Sequence, residues 1–389
     1  MARRGRHARH HVLTAGVPSH EMRILAVNAG SSSLKLSLIG EQDELLASTE
    51  LTGASAESRE RLARALGGEL RAADGVVHRI VHGGPRHGAA LRIDRTLREA
   101  LDALTDLAPL HQPRSLHALD AVSALLPELP AVACFDTAFH RDMPAAARTY
   151  ALPEAWRSRW ELQRYGFHGL SHAWVARRVT ELSQGRVSRL VSCHLGAGAS
   201  VCAIRDGRSV DTTMGFTPLD GLVMATRCGA IDPGLVLWLL EHAGIEPGAL
   251  NHALEHDSGL RALAGTADIR EVITGAGGGE PRAELALQVY LRALRGAIAA
   301  MAAALGGIDA LSFTGGIGEH APTLRAACAE GLGFLGIAID PERNDEASGD
   351  RTLSAPGAAV RVLRLRARED LEMARQARKL LMGPAPAAG

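Results

Sequence analysis

Two arginines stand in apolar surroundings where burial is costly unless an anion meets them. Arg79 follows His78 in the run Gly75-Val76-Val77-His78-Arg79-Ile80-Val81, and Arg227 closes Met224-Ala225-Thr226 in a glycine-rich stretch. A guanidinium in such company requires either an internal carboxylate or an anionic ligand. Asp136 ends Cys134-Phe135-Asp136, the carboxyl end of an expected buried strand, where open α/β sheets present residues to a ligand. His168 and His172 are spaced i, i+4 in Gly166-Phe167-His168-Gly169-Leu170-Ser171-His172. The spacing fits a zinc pair, but no third ligand lies near in sequence. Hydrogen bonding to a phosphoryl group in transfer suits His168 better.

Three glycine-rich segments could receive the phosphates of such a reaction. Asn28-Ala29-Gly30-Ser31-Ser32-Ser33-Leu34-Lys35 gathers backbone N–H groups, hydroxyls, an amide and an ammonium. Glycine admits an anion close to the backbone, and hydroxyls and lysine bind phosphate oxygens. GxxxxGK[ST] occurs nowhere, so this is no Walker loop, and an ordinary serine-rich turn has the same composition. His194-Leu195-Gly196-Ala197-Gly198-Ala199-Ser200 is a second candidate cradle, resting on a bare Gly-x-Gly. In Phe313-Thr314-Gly315-Gly316-Ile317-Gly318-Glu319 a buried strand runs into Gly-Gly-x-Gly and then a helix. That order offers N–H groups and a helix N-terminus to a nucleotide, although a tight connection between elements reads the same way.

The elements that hold these groups follow from periodicity. Residues 23–39 read as two apolar strands around a polar tip, a hairpin. Residues 46–71 are polar and alanine-rich, helical in their second half. Strands are expected at 75–81, 131–136, 190–194, 200–204, 310–313 and 360–365, with a turn at 314–318. Helices are expected at 96–107, at 117–126 (stopped by Pro127), at 283–305 and at 371–381. Strand, glycine-rich turn, strand therefore occurs near residue 30 and again near 197, which suggests an internal duplication. Alternation of strands and helices makes the class α/β.

The chain has 389 residues, suited to two domains, with 46 % hydrophobic and 22 % charged residues. Lysine plus arginine and aspartate plus glutamate are 43 each, so no overall field recruits nucleic acid or a membrane. Aromatics at 3 % leave no stacking platform for single-stranded nucleic acid. Cys134, Cys193, Cys202, Cys228 and Cys328 form no CxxC pair, a pattern of buried thiols in a reducing compartment. Residues 1–21 form a basic, histidine-bearing stretch without the apolar core of a secretory leader, expected to be a disordered tail. Met22 is a candidate start, and His7, His10 and His11 form a candidate metal tract.

Taken in order, the motifs resemble those of the acetate kinase family, within the actin, sugar kinase and Hsp70 superfamily. They are VNAGSSSLK from Val27, HRIVHGG from His78, LAPLHQP from Leu107, FDTAFH from Phe135 and RYGFHGLSH from Arg164. CHLGAGASVCAI from Cys193, DTTMGFTPLDGLVMATRCGAIDPG from Asp211 and FTGGIGEH from Phe313 complete the set. The resemblance spans nearly the whole chain after Met22. It implies two duplicated ribonuclease H-like (actin/Hsp70-type) domains with a cleft between them, residues 22–140 with 371–389 forming one and 141–370 the other. It also implies Mg2+ (with Mn2+ an alternative), ATP as co-substrate, acetate as acceptor, a homodimer and a cytoplasmic enzyme.

By the same resemblance Arg79 and Arg227 hold the acceptor carboxylate and the moving phosphoryl group. Asp136 orients Arg227 or the acceptor, and His168 bonds the phosphoryl oxygens. Asn28 and Glu369 sit by the metal, with Ser31, Ser33 and Lys35 at the phosphates. Nucleotide contacts fall on His194, Gly196, Gly198, Asp268, Arg270, Gly315, Gly316, Ile317 and Gly318. Val81, Leu110, Phe167 and Pro218 form a small apolar pocket for the methyl group, and His111 is a further site position. The family's usual HLGNGGS carries Ala197 here, GGIGEN ends in His320, and TNEE becomes Ala367-Arg368-Glu369-Asp370. Loss of one side-chain bond to ATP at Ala197 costs about 1 kcal/mol. A propionate or butyrate kinase and a non-catalytic nucleotide-binding switch are the alternatives, with Val81 favouring a two-carbon acid.

Overall fold

Successive residues of β1 (Ile24–Ala29) point to opposite faces, and each face meets apolar packing. Ile24 and Ala26 enter one core, and Leu25 and Val27 another. An uninterrupted apolar run is what a strand covered on both sides requires. The computed structural model describes residues 22–30, 33–53, 59–109, 111–345 and 349–383. The basic segment before Met22, Ser31, Ser32 and Leu110 lie outside them.

β1 turns back as β2 (Ser33–Ile39) and β3 (Leu45–Thr52), an antiparallel meander. Parallel to β1 runs β4 (Gly75–Ile80), followed by β6 (Ala131–Phe135), with the short β5 (Leu91–Arg92) antiparallel on the outer edge. The order is β3-β2-β1-β4-β6-β5. β7 (Arg189–Leu195), β8 (Ala199–Arg205) and β9 (Arg208–Thr212) repeat the meander. β10 (Ala310–Thr314) and β12 (Arg361–Arg364) lie parallel to β7, and β11 (Arg351–Thr352) is antiparallel at the edge. The second order is β9-β8-β7-β10-β12-β11, strand for strand the first. The expected duplication and α/β class hold.

Two helices fill the space between the sheets. Gly169–Ser183 and Glu369–Leu381 pack on each other, the first also against β7 and the second against β1 and β4. A core joins residues of both sheets to Leu170, Trp174, Val175, Met373 and Ala377 of this pair. Arg177 pairs with buried Glu372 at 2.6 Å, and Trp174 Nε1 donates to the Arg366 carbonyl at 2.9 Å. The helix Pro281–Leu305 is apolar enough to cross a membrane by length and composition, yet Ala286, Leu294, Ile298 and Met301 are buried in the core beside β8.

Several boundaries differ from the sequence expectation. Residues 46–71 contain β3 as well as the short helix Arg59–Ala65. β3 alternates between exposed and half-buried residues, so its polar composition hid an edge strand. β9 escaped notice for the same reason. The helix expected at 117–126 begins at Gln112, because Pro113 occupies the first turn, where its missing N–H costs nothing. The helix expected at 96–107 stops at Asp102; Asp94 caps its start, accepting from the Leu97 N–H at 2.7 Å. The turn expected at 314–318 is already helical from Gly315 to His320.

Candidate active site

Parallel pairing of β4 with β6 sets Arg79 beside Cys134 and brings Asp136 to the same end of the sheet. The Asp136 carboxylate accepts Arg79 Nη2 at 2.6 Å and Nε at 3.1 Å to each oxygen. Arg79 Nη1 donates to Asn28 Oδ1 at 3.1 Å, and Asn28 Nδ2 donates to Glu369 Oε2 at 2.8 Å. Asp136, Arg79, Asn28 and Glu369 thus form one hydrogen-bonded chain. Burial opposes the charge on Arg79, but the Asp136 and Glu369 carboxylates outweigh it and push its pKa up. Burial likewise pushes the Asp136 carboxyl up while the guanidinium pulls it down. Only the ionised form can accept all the N–H donors aimed at it. Glu369 is held below the usual carboxylate range, because Arg79, His194 and the Asn28 amide outweigh burial.

His168 adopts left-handed backbone angles, φ 55°, just before the helix Gly169–Ser183. The next residue must be glycine. A Cβ on Gly169 would sit 2.2 Å from the Asp136 carbonyl oxygen, to which the Gly169 N–H donates at 2.9 Å. That close approach places His168 beside the Arg79 fork. Its ring stacks on His194 at 4.3 Å, and His194 Nδ1 meets Ser171 Oγ at 2.8 Å. Gly198 faces the His168 ring and Arg227 Nη1, which a Cβ would meet at 3.4 and 3.5 Å.

Arg227 is anchored by an acid the sequence did not reveal. Its Nε pairs with Glu255 at 2.8 Å, and its Nη2 donates to His111 Nε2 at 2.6 Å. Asp136 serves Arg79, so of its two expected roles, orienting Arg227 or the acceptor, the first falls to Glu255. Glu255 lies in the helix Pro247–His256, whose sequence carries no motif. The one available signal was the general need of a buried arginine for an acid. Burial and the neighbouring Arg227 and Arg79 hold His111 down to about 3, so it stays neutral and accepts. His172 meets Ser192 Oγ and Ser200 Oγ with its two nitrogens, at 3.0 and 2.8 Å, and leaves no lone pair for zinc.

These groups line one cavity of about 850 Å³. Asn28, Lys35, Arg79, Val81, His111, Asp136, Phe167, His168, His194, Gly196, Gly198, Pro218, Arg227, Gly315, Gly316 and Glu369 share it, together with Ser33. Ala197 is on the wall, and Arg366, Arg368 and Asp370, not singled out beforehand, also contribute. Gly315, at φ 79°, approaches the end of β7 so closely that a Cβ would lie 2.7 Å from the Leu195 carbonyl oxygen. Among the described residues, four expected ones are not on this wall. Asp268 caps the helix Ile269–Gly277 and bonds exposed Arg270, and neither is among the residues that line the cavity. Ile317 packs into the core, and the Gly318 carbonyl accepts Arg325 Nη1 at 2.9 Å. In the glycine-rich turn only the first two residues face the cleft, because the turn is the first turn of a helix.

One carboxylate beside an amide is a donor set that suits Mg2+, which keeps several waters and binds phosphates as well as protein. Glu369 is half-buried and ionised, and Asn28 is already bonded to it, so the pair fits such an ion.

Two sheets of the same strand order around a cleft lined with cations and glycine turns define a duplicated, actin-type α/β kinase class. The chain belongs to the acetokinase family, whose model matches residues 59–375. It is 44 % identical to the acetate kinase of Gloeobacter violaceus over 77 % of this chain and 75 % of that one. The acetate kinase of Alkaliphilus metalliredigens is 38 % identical over 92 % of this chain and 100 % of its own length. Among solved structures, Porphyromonas gingivalis acetate kinase superposes with a TM-score of 0.83 at 31 % identity, covering 92 % of this chain and 100 % of that one. A propionate kinase from Francisella tularensis reaches 0.85 at 31 % identity, over 91 % and 98 %.

Proposed function

We propose that the cleft transfers the γ-phosphoryl group of Mg-ATP reversibly to acetate, giving acetyl phosphate and ADP. One observation carries this reading. Two anchored guanidiniums and His168 converge beside a small apolar corner of Val81, Phe167 and Pro218, within the cavity that glycine turns also line. An acetate oxygen forms the new bond to phosphorus as the bond to the bridging oxygen of ADP breaks. No proton need move. Such transfer requires in-line positioning and positive charge facing the equatorial oxygens. Arg79 and Arg227 supply that charge, holding the carboxylate and the phosphoryl group, and His168 donates a hydrogen bond. Glu369 and Asn28 would hold Mg2+, which would supply further positive charge at the phosphates, and Mn2+ would suit the same ligands. Lys35 and the turns at Gly196, Gly198, Gly315 and Gly316 are assigned to the nucleotide.

The sheets support a domain division at residues 22–140 with 371–389 against 141–370, since the C-terminal helix packs on the first sheet. A homodimer is supported by the helix Pro233–Glu241, which leaves Leu235, Leu237 and Trp238 exposed; light scattering tests it. The enzyme is assigned to the cytoplasm by its family. Trapping the acyl phosphate as hydroxamate with acetate, propionate and butyrate, with and without Mg-ATP, tests the activity. Product that depends on ATP and is greatest with acetate is expected, and none with any acid overturns the kinase reading. Propionate is the second reading, favoured by the superposition on a propionate kinase. One methylene is worth only about 1–3 kcal/mol in such a pocket, so overlapping use of propionate is expected.

A further inference from the structure

His168 is an imidazole of the cleft whose Nδ1 runs into a buried hydrogen-bond chain. Its Nδ1 meets Ser200 Oγ at 3.0 Å. The same hydroxyl meets His172 Nε2 at 2.8 Å, and His172 Nδ1 meets Ser192 Oγ at 3.0 Å. Ser192, Ser200 and His172 are all fully buried. His172 packs edge-on against His140 at 5.8 Å, which is itself tied to Ser209 Oγ and to the Phe167 carbonyl. The inner groups of the chain are therefore closed off from bulk solvent.

Three facts restrict it to two settings. First, burial, then His194, Arg79, His172 and Arg227, hold His168 well below its ordinary range, so the ring is neutral and has a single N–H. His172 is neutral for the same first reason, with His140 and His194 adding to it. Second, Ser200 has one hydroxyl proton and, in the structure, two imidazole nitrogens as its partners. Were both rings to donate to Ser200, its own proton would be stranded in a dry site, at a cost buried polar groups avoid. So Ser200 donates to one ring and accepts from the other. Third, the bonds are linked, and the whole chain runs one way or the other. Either Ser192 donates to His172, His172 Nε2–H to Ser200 and Ser200 to His168 Nδ1, or every bond is reversed. The first setting leaves the His168 proton on Nε2, and the second puts a lone pair there.

His168 Nε2 lies on the side of the ring that faces Gly198 and Arg227 Nη1. A phosphoryl group held by the arginines would be repelled by a lone pair at that point and bonded by an N–H. We propose that Ser200 and His172 are positioning residues that fix His168 as the Nε2–H tautomer, so that its one proton is aimed at the transferring phosphoryl group. The inference rests on the kinase reading of the cleft. The wrong tautomer of a neutral histidine is a severe defect: in the serine protease triad it lowers kcat by about four orders of magnitude. Here the hydrogen bond supplements two arginines, and a loss of about 100-fold in kcat is expected, the low end of the range for one positioned donor.

The test combines kinetics with nitrogen NMR of enzyme labelled with 15N-histidine, inorganic phosphate serving as the anion in the cleft. In the parent enzyme His168 should show a pyrrole-type Nε2 and a pyridine-type Nδ1. Ser200→Ala and Ser192→Ala should shift His168 towards a tautomer mixture and lower kcat, with KM for acetate and ATP nearly unchanged. His172→Leu should do the same, and His172→Gln, which keeps an amide donor at the Nε2 position, should recover most of the loss. A fixed Nδ1–H tautomer in the parent, or Ser200→Ala with unchanged kcat and tautomer, overturns the proposal. Should His172→Leu fail to fold, the two serine variants still decide. An enzyme with no activity on any acid refutes the kinase reading, while the spectra still report the direction of the chain.

Discussion

Replacing Asp136 with alanine separates the anchoring of Arg79 from everything else in the cleft. The carboxylate makes one bond of 2.6 Å and two of 3.1 Å to the guanidinium. The acid is 1 % exposed and the arginine side chain 14 %. Removing one partner of a fully buried pair costs about 3–5 kcal/mol. Arg79 keeps Asn28 and faces an open cleft, which lowers the expected loss to about 2–3 kcal/mol, the scale of charge-assisted bonds left unmade. The freed guanidinium then samples orientations in which it no longer faces the phosphoryl oxygens. One electrostatic donor of this kind is worth about 3 kcal/mol in the barrier, roughly 150-fold in kcat. Asp136→Asn should be nearly as slow, since its NH2 would oppose an arginine N–H, but more stable, since one oxygen still accepts Nη2. Hydroxamate kinetics beside thermal unfolding reads both effects. An Asp136→Ala enzyme with parental kcat and melting temperature would show that Arg79 is held without its acid, and the argument from the fork would fail.

Glu255→Gln removes the charge opposite Arg227 but leaves the His111 bond, and kcat/KM for acetate should fall about tenfold, the value of a charged pair bond at a half-screened site. Steady-state kinetics with varied acetate checks it, and an unchanged value would make Glu255 a bystander. Gly169→Ala drives a Cβ onto the Asp136 carbonyl, so melting should occur several degrees lower and activity should drop with it. Parental melting of that variant would refute the close approach. His78, His82 and His140 are each lowered to about 4 by burial. The unfolded chain then binds more protons between about pH 6.5 and 4, so their stability is complete above that window and is lost as pH falls through it. Thermal unfolding from pH 7.5 to 4.5 should show a melting temperature that drops below pH 6.5, ahead of carboxylate titration, and a flat profile would contradict the buried neutral rings.

What could be read from sequence followed the physics of burial. β1, β4, β6, β7 and β10 are apolar on both faces, and their runs stood out without tertiary knowledge. The edge strands β3 and β9 did not, because one polar face leaves a strand resembling a loop or helix. The glycine turns were legible as close approaches of backbone. Which glycines face the cleft was not, since Ile317 and Gly318 turn inward only once the segment is helical. Pairing was the least legible layer. The acid on Arg227 lies on a helix many residues away, and nothing local in Asn251-His252-Ala253-Leu254-Glu255 marks it. Asp268 and Arg270, assigned to the nucleotide by resemblance alone, pair with each other at a helix cap, and no local sequence signal foretold that pairing. His172 was noticed for a metal its two serine partners leave no room to bind.

The helix pair between the sheets has a mechanical role that follows from where its ends lie. His168 immediately precedes the Gly169–Ser183 helix, and Glu369 is the first residue of Glu369–Leu381. Both helices leave the cleft from these residues and pack on each other, the first on β7 and β6 and the second on β1 and β4. The histidine and the carboxylate therefore stand at the starts of one packed helix pair, and the packing that holds the pair also fixes how the two groups face each other.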